Sequence, residues 1–250
     1  MKNIPPVIVE LASDELGGAS GAKLFTVLAV GKANTPRYPY CVANEKIATD
    51  IGRVLGLRIP EALLYRLRGE WHVFSCFVER TESGEGVPEG TAAELNRYFL
   101  ERPNELHGMI CFDLLVGNND RKTDNLIFSQ ADTAVTLIDH ANALFYRKTE
   151  TASPGIARLE SIEDNLSAMF DKKHWFLAGL TSWDLVDNWC ARISELPSYY
   201  VESVVENLPS ELLTDAERRA VIDFIEKRKK VLGEIISENL PLFPGLMKPD

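Results

Sequence analysis

The sequence is short of several features that commonly announce a function. Only four cysteines occur in 250 residues, at 41, 76, 111 and 190, and none belongs to a CxxC pair. With four histidines alongside them, a zinc site has little to build on, and buried free thiols in a reducing compartment are the simplest reading. No apolar run approaches the length of a membrane span, and the opening MKNIPPVIVELAS has no long apolar segment of the secretory kind. Positive charge is also scarce: 27 Lys and Arg stand against 37 Asp and Glu, for a net charge of −10 and a pI near 5.0. Such a chain is a poor electrostatic match for a phosphate backbone, which argues against nucleic acid as the main partner. No basic amphipathic segment points to a membrane surface. The phosphate-binding pattern GxxxxGK[ST], internal repeats and low-complexity tracts are absent as well. What is left is ordinary globular composition, 45% hydrophobic and 26% charged, long enough for one large domain or two small lobes. A soluble, cytoplasmic protein is the expectation.

The densest group of reactive side chains lies between Phe112 and Phe145. An apolar segment ending at Gly117 leads into Asp120-Arg121-Lys122-Thr123-Asp124-Asn125. Then come Leu126-Ile127-Phe128, a turn-rich SQADT, and Val135-Thr136-Leu137-Ile138, which delivers Asp139. This pattern predicts a helix, a polar loop, and a hairpin that returns a second acid toward the first. Asp120, Asn125 and Asp139 are hard oxygen donors suited to a magnesium ion holding phosphates. Phosphoryl transfer asks a protein mainly to place a hydroxyl in line and to neutralise charge. In that chemistry Asp120 orients the hydroxyl, Asn125 and Asp139 hold metal, and Lys122 reaches the transferring phosphate. An acid followed five residues on by an amide also arises by accident, so the flanking helix and strands give the pattern its weight.

The remaining chain frames that stretch. Residues 7–12 and 24–30 read as strands around Gly17-Gly18-Ala19-Ser20-Gly21-Ala22-Lys23. Backbone N–H groups in such a small-residue loop can approach phosphates closely, although a plain hairpin turn accounts for it too. A helix is expected from Val42, with Asn44 as N-cap and Ile47, Ile51, Val54 and Leu55 at helical spacing, stopped by Gly56 and Pro60. Glu45 in its first turn is either a surface acid or the partner of a nucleotide-facing lysine. Strands over 62–67 and 71–78 meet at Arg68-Gly69-Glu70. The polar residues 81–90 read as a linker between a small sheet-rich lobe, 1–80, and a helical lobe, 81–250. Helices are expected over 92–100 and from 103 or 104 to 116, then on the stripe Trp183, Val186, Trp189, Cys190 and Ile193. Another opens at the capping box Thr214-Asp215-Ala216-Glu217. Arg228, Lys229 and Lys230 read as its solvated face. Ser153 is either an autophosphorylation site or an ordinary loop serine.

These residues carry a family resemblance. DRKTDN at 120–125 is similar to the protein-kinase catalytic loop DLKPEN and to the DRHNDN of phosphoinositide 3- and 4-kinases, and Ile138-Asp139-His140-Ala141 stands where those carry IDFG. The fullest similarity is to the HipA-like kinases, especially short single-domain members. Phe112-Asp113 through Leu126 resembles their FDxxxxNxDRxxxNLL, Gly17-Gly18-Ala19-Ser20 their GGxS, and Asn44-Glu45 through Pro60 their NExxAxxLxxxLGLxxP. The resemblance implies an α+β, two-lobed protein-kinase-like fold, with a small β-rich lobe and a mostly helical one. It implies ATP and Mg2+ as cofactors, Asp120 and Lys122 as catalytic residues, and Asn125 and Asp139 as metal ligands. Nucleotide would be met by Gly18, Ala19, Ser20, Gly21, Lys23, Lys32 and Glu45, and by a hinge at Phe77 and Val78. The implied activity is transfer of the ATP γ-phosphate to a protein serine or threonine, with any antitoxin-like regulator on a separate chain. The strand positions where such kinases carry their phosphate-pairing lysine hold Leu28 and Ala29, with Lys32 and Lys23 as nearby substitutes. That keeps a second reading open, a nucleotide- or partner-binding pseudokinase without efficient phosphotransfer.

Overall fold

The computed structural model describes residues 8–10, 25–78, 99–129, 134–145, 154–164 and 174–247. The small-residue loop with Gly18, Ala19, Ser20, Gly21 and Lys23, the linker at 81–90, most of the expected helix over 92–100, and Ser153 lie outside them. Strand β1 (Ile8–Glu10) pairs antiparallel with β2 (Phe25–Val27). Strands β3 (Ala29–Ala33), β4 (Ala62–Leu67) and β5 (Glu70–Cys76) form an antiparallel sheet in the order β3-β5-β4. Arg68 and Gly69 connect β4 to β5 with φ of 53° and 88°. A two-residue hairpin loop with both residues left-handed matches the twist of its strands, and the glycine makes it inexpensive.

Helix α1 (Cys41–Val54) lies between this sheet and the helical body, with Ile47, Ala48 and Ile51 fully buried. It begins earlier than Asn44 predicts. Tyr40 stands at the N-cap, and the Val42 N–H donates to the Asn34 side chain at 2.9 Å. Asn44 is instead 1% exposed inside the helix. Its amide donates to the carbonyls of Ala141 and Phe145, and its oxygen accepts the Phe145 N–H, so its polar groups are spent on tertiary structure.

Helix α2 (Pro103–Val116) is the axis of the helical part, buried at every residue from Leu106 to Val116. Proline suits its first turn, where the missing N–H is one of the helix's unpaired donors. Gly117 ends it at φ 65°. The carbonyls at a helix C-terminus lack intrahelical partners, and three of them here find one elsewhere. Leu114 receives Arg228, Val116 receives the Leu144 N–H at 2.7 Å, and Gly117 receives Arg158 at 3.0 Å. The hairpin β6 (Leu126–Ser129) and β7 (Ala134–Leu137) follows, with Leu126 opposite Leu137. Helices α3 (Pro154–Asp164), α4 (Trp183–Ser194), α5 (Ser198–Glu206) and α6 (Asp215–Glu238) complete the body.

The capping box at Thr214 and Glu217 forms as the sequence predicts. The solvated face of α6 does not. Arg228 and Lys229 are 2% and 4% exposed. Arg228 lies over the Phe224 ring while it caps α2, and Lys229 reaches the Leu196 carbonyl at 2.6 Å and Glu226 at 2.7 Å. Two cations are drawn inward because carbonyls at helix ends need donors; Lys230 stays exposed. The four cysteines are free, but only Cys41 and Cys111 are buried. No described helix is long and apolar enough to cross a membrane.

Candidate active site

The site is built on one buried acid. Asp113 sits in the apolar C-terminal half of α2, fully buried, where a carboxylate persists only with paired and hydrogen-bonded oxygens. Four donors meet it. Arg121 forks onto it, Nε to Oδ2 and Nη2 to Oδ1, both at 2.8 Å. Asn118 donates to Oδ1 at 2.8 Å, and His174 Nε2 lies 3.1 Å from Oδ2. His174 Nδ1 accepts the Phe176 N–H, so Nε2 carries a proton and a neutral imidazole suffices. Burial would raise the Asp113 carboxyl, yet the Arg121 charge and these bonds hold it well below the usual carboxylate range.

The other end of Arg121 sets the loop. Its Nη1 donates to the carbonyls of Asn125 at 3.1 Å and Ile138 at 2.9 Å. The Ile138 N–H returns to the Asn125 carbonyl at 3.0 Å, so the hairpin places Asn125 across from the residue preceding Asp139. Asn125 Nδ2 donates to the Asp120 carbonyl at 2.6 Å. The Asp120 carboxylate is bracketed by Lys122 Nζ at 2.6 Å on Oδ1 and by Asn142 Nδ2 at 3.1 Å on Oδ2. The bond to Asp120 raises the Lys122 ammonium above its ordinary value. Asp139 takes φ 58°, a left-handed conformation that aspartate tolerates better than most side chains.

Beside the loop lies a cavity of about 340 Å³, at the small end of the range for ligand pockets. Val30, Ile127, Leu137, Phe77 and Val78 supply apolar lining, and Lys32, Glu45 and Asp139 a polar cluster. Val30 and Lys32 face the cavity because they are two apart on β3. Gly31 between them faces the Phe74 ring, which a Cβ would approach to 2.6 Å. Lys32 Nζ meets two acids, Glu45 Oε1 at 2.5 Å and Asp139 Oδ1 at 2.9 Å. The other Glu45 oxygen is 3.6 Å from Nδ1 of the buried His140, whose ring stands edge-on to Phe112. Glu45 is therefore no surface acid.

Burial would raise the Glu45 carboxyl, but the neighbouring His140 ring and the Lys32 charge outweigh it and bring it down to about 2. Burial would likewise lower Lys32, yet Glu45 and Asp139 hold it above its ordinary value. A carboxyl depressed from 4.5 to about 2 gives stability that is complete above pH 4.5 and lost as pH falls toward 2. Between about pH 6 and pH 3 the wild type should lose on the order of 2 kcal/mol more than Glu45→Gln, measured by urea unfolding. Equal losses would remove this pair from the acid response.

The structure thus brings Asp120, Lys122, Asn125, Asp139, Lys32 and Glu45 to one place, with Phe77 and Val78 lining the cavity. Asn142, Asn44, and the group of Asp113, Arg121, Asn118 and His174 were not legible as site residues. Two signals were available: Asp113, Asn118 and Arg121 are fixed letters of the motif that Phe112 to Leu126 resembles, and an acid in the apolar end of a helix must have a buried partner. The donor set fits a hard divalent cation. The amide nitrogen of Asn125 is committed, leaving its oxygen, and Asp139 Oδ2 has no partner among the described residues. No cluster of three or more His, Cys, Asp or Glu suited to a metal occurs among the described residues. An ion with so few protein ligands takes the rest from phosphates and water, as magnesium does.

No protein-family model matches the chain, and no curated protein matches its sequence. Among solved structures it is similar to the Helicobacter pylori proinflammatory kinase CtkA, with a TM-score of 0.60 at 16% identity over 91% of this chain and 94% of that one. It also matches a chain of the Shewanella oneidensis MR-1 toxin–antitoxin complex of HipA, HipB and operator DNA, with a TM-score of 0.48 at 15% identity over 93% of this chain and 64% of that one. The fold relationship to which the motifs point is therefore present: the chain is α+β, with a kinase-like fold.

Proposed function

We propose that the protein is an ATP- and magnesium-dependent kinase that phosphorylates serine or threonine hydroxyls of another protein. The observation that carries this reading is Lys32, held at once by Glu45 and Asp139 in the lining of an apolar cavity. A lysine so placed is oriented and kept charged, ready to meet the α- and β-phosphates of a nucleotide. It supplies a charged partner that the apolar pair Leu28 and Ala29 does not, which favours a kinase over a pseudokinase. On this reading residues 1–80 cover the nucleotide and 81–250 carry the chemistry.

Adenine lies between Val30, Ile127 and Leu137, against the backbone of Phe77 and Val78. Asn125 and Asp139 would hold magnesium, which when bound supplies charge neutralisation on the phosphates. Asp120 orients the acceptor hydroxyl and takes its proton as the hydroxyl oxygen bonds to the γ-phosphorus. The bond from that phosphorus to the bridging oxygen breaks, and ADP leaves. Lys122, beside Asp120, offsets charge on the phosphoryl group in transit. The test is label transfer from γ-labelled ATP to protein in a cell lysate, with magnesium and after its removal by chelator. Transfer that disappears on chelation and returns with magnesium supports a kinase. Nucleotide-dependent thermal stabilisation without any transfer would favour the pseudokinase.

A further inference from the structure

Between β3 and α1 the chain makes a turn that the phosphotransfer chemistry does not use. Thr35-Pro36-Arg37-Tyr38 closes with the Tyr38 N–H donating to the Thr35 carbonyl at 3.0 Å and to the Thr35 hydroxyl oxygen at 3.1 Å, and the Thr35 N–H donating to the Tyr38 carbonyl at 3.2 Å. Proline at the second position presets such a turn. The turn is pinned on both sides to the segment after β7. Before it, Lys32 binds Asp139; after it, the Tyr40 ring packs on Phe145 at 4.8 Å. Midway along that segment Asn142 holds the Asp120 carboxylate. The two anchors tie the turn to the segment whose Asn142 holds the Asp120 carboxylate.

Arg37 lies at the tip of the turn, exposed, with its guanidinium over the Tyr38 ring at 5.4 Å. It makes no ion pair among the described residues. A stacked guanidinium on a closed turn is already oriented and loses little freedom when it meets an anion. In a chain of net charge −10, an exposed cation with no ion pair among the described residues is a local exception that an anionic ligand can find.

We propose that this turn selects the substrate, with Arg37 recognising an anionic side chain next to the serine or threonine that Asp120 serves. The proposal rests on the kinase reading and adds to it a substrate class: polypeptides with a carboxylate or phosphate close to the acceptor hydroxyl. The test uses synthetic peptides with one acceptor serine and Asp, Lys or phosphoserine at each of the two positions on either side. At one or more positions an anion should lower KM about fivefold relative to Lys, with kcat little changed. Arg37→Glu should reverse the preference toward Lys. An effect shared by Asp and phosphoserine assigns the contact to charge, and one confined to phosphoserine assigns it to phosphate. No preference in the wild type, or a preference that survives Arg37→Glu, overturns the proposal. Should no peptide be phosphorylated, fluorescence anisotropy of the same labelled peptides with the full chain and ATP still decides it. Equal binding of acidic and basic peptides would overturn substrate selection, whereas absent transfer counts against the kinase reading alone.

Discussion

Asp120→Asn is expected to lower kcat for phosphotransfer by about 10²- to 10⁴-fold while leaving the fold and nucleotide binding close to wild type. The substitution keeps the shape of the side chain and removes the group that takes the proton. Asp120 receives Lys122 on one oxygen and Asn142 on the other, so the new amide must turn its NH2 toward one of these donors. The loop is partly exposed there, and water can absorb the mismatch at a cost of about 1 kcal/mol or less. Lys32, Glu45 and Asp139 contact one another rather than Asp120, so the nucleotide end of the site is untouched. Single-turnover transfer from labelled ATP should therefore collapse while the rise in Tm on adding Mg–ATP persists. A variant that turns over at the wild-type rate would remove Asp120 from the chemistry. One that loses both signals would make it a structural residue.

The parts of the site that could be read from sequence are those whose chemistry is local. Asp120, Lys122 and Asn125 share one loop, and the hairpin that returns Asp139 is marked by two apolar runs around a turn. The residues that escaped reading act across long separations. Asn44 has the composition of an N-cap, and only the distant carbonyls of Ala141 and Phe145 show why it sits inside α1 instead. Arg228 and Lys229 look solvated because basic residues usually are, but their donors complete carbonyls at helix ends that sequence does not expose. Lys32 was in doubt for a different reason. Its neighbours VLAVG give no sign of strand phase, and the pairing of β3 with β5 places Lys32 with Val30 on the cavity side. The α+β class itself follows from patterning, since short β-branched runs precede long helical stripes.

The largest loss of stability is expected from Arg121→Met, about 3–5 kcal/mol in equilibrium unfolding, the cost of leaving a buried charge without its partner. Asp113 would keep Asn118 and His174 but lose both charge-assisted bonds from the guanidinium. The carbonyls of Asn125 and Ile138 would each lose a donor as well. Lysine should not rescue the site, because one ammonium cannot span the carboxylate and two separate carbonyls. Stability and positioning can be separated by adding Asp113→Leu. Removing the orphaned acid should recover part of the lost stability, since a buried pair can often be replaced by apolar side chains at little cost. Activity should not return with it. The Asn125 and Ile138 carbonyls would still lack the donor that fixes the loop against the strand leading to Asp139. If the double variant recovers activity in step with its stability, Arg121 serves only to neutralise Asp113. If stability rises while transfer stays low, Arg121 is the residue that holds Asp120, Asn125 and Asp139 in register.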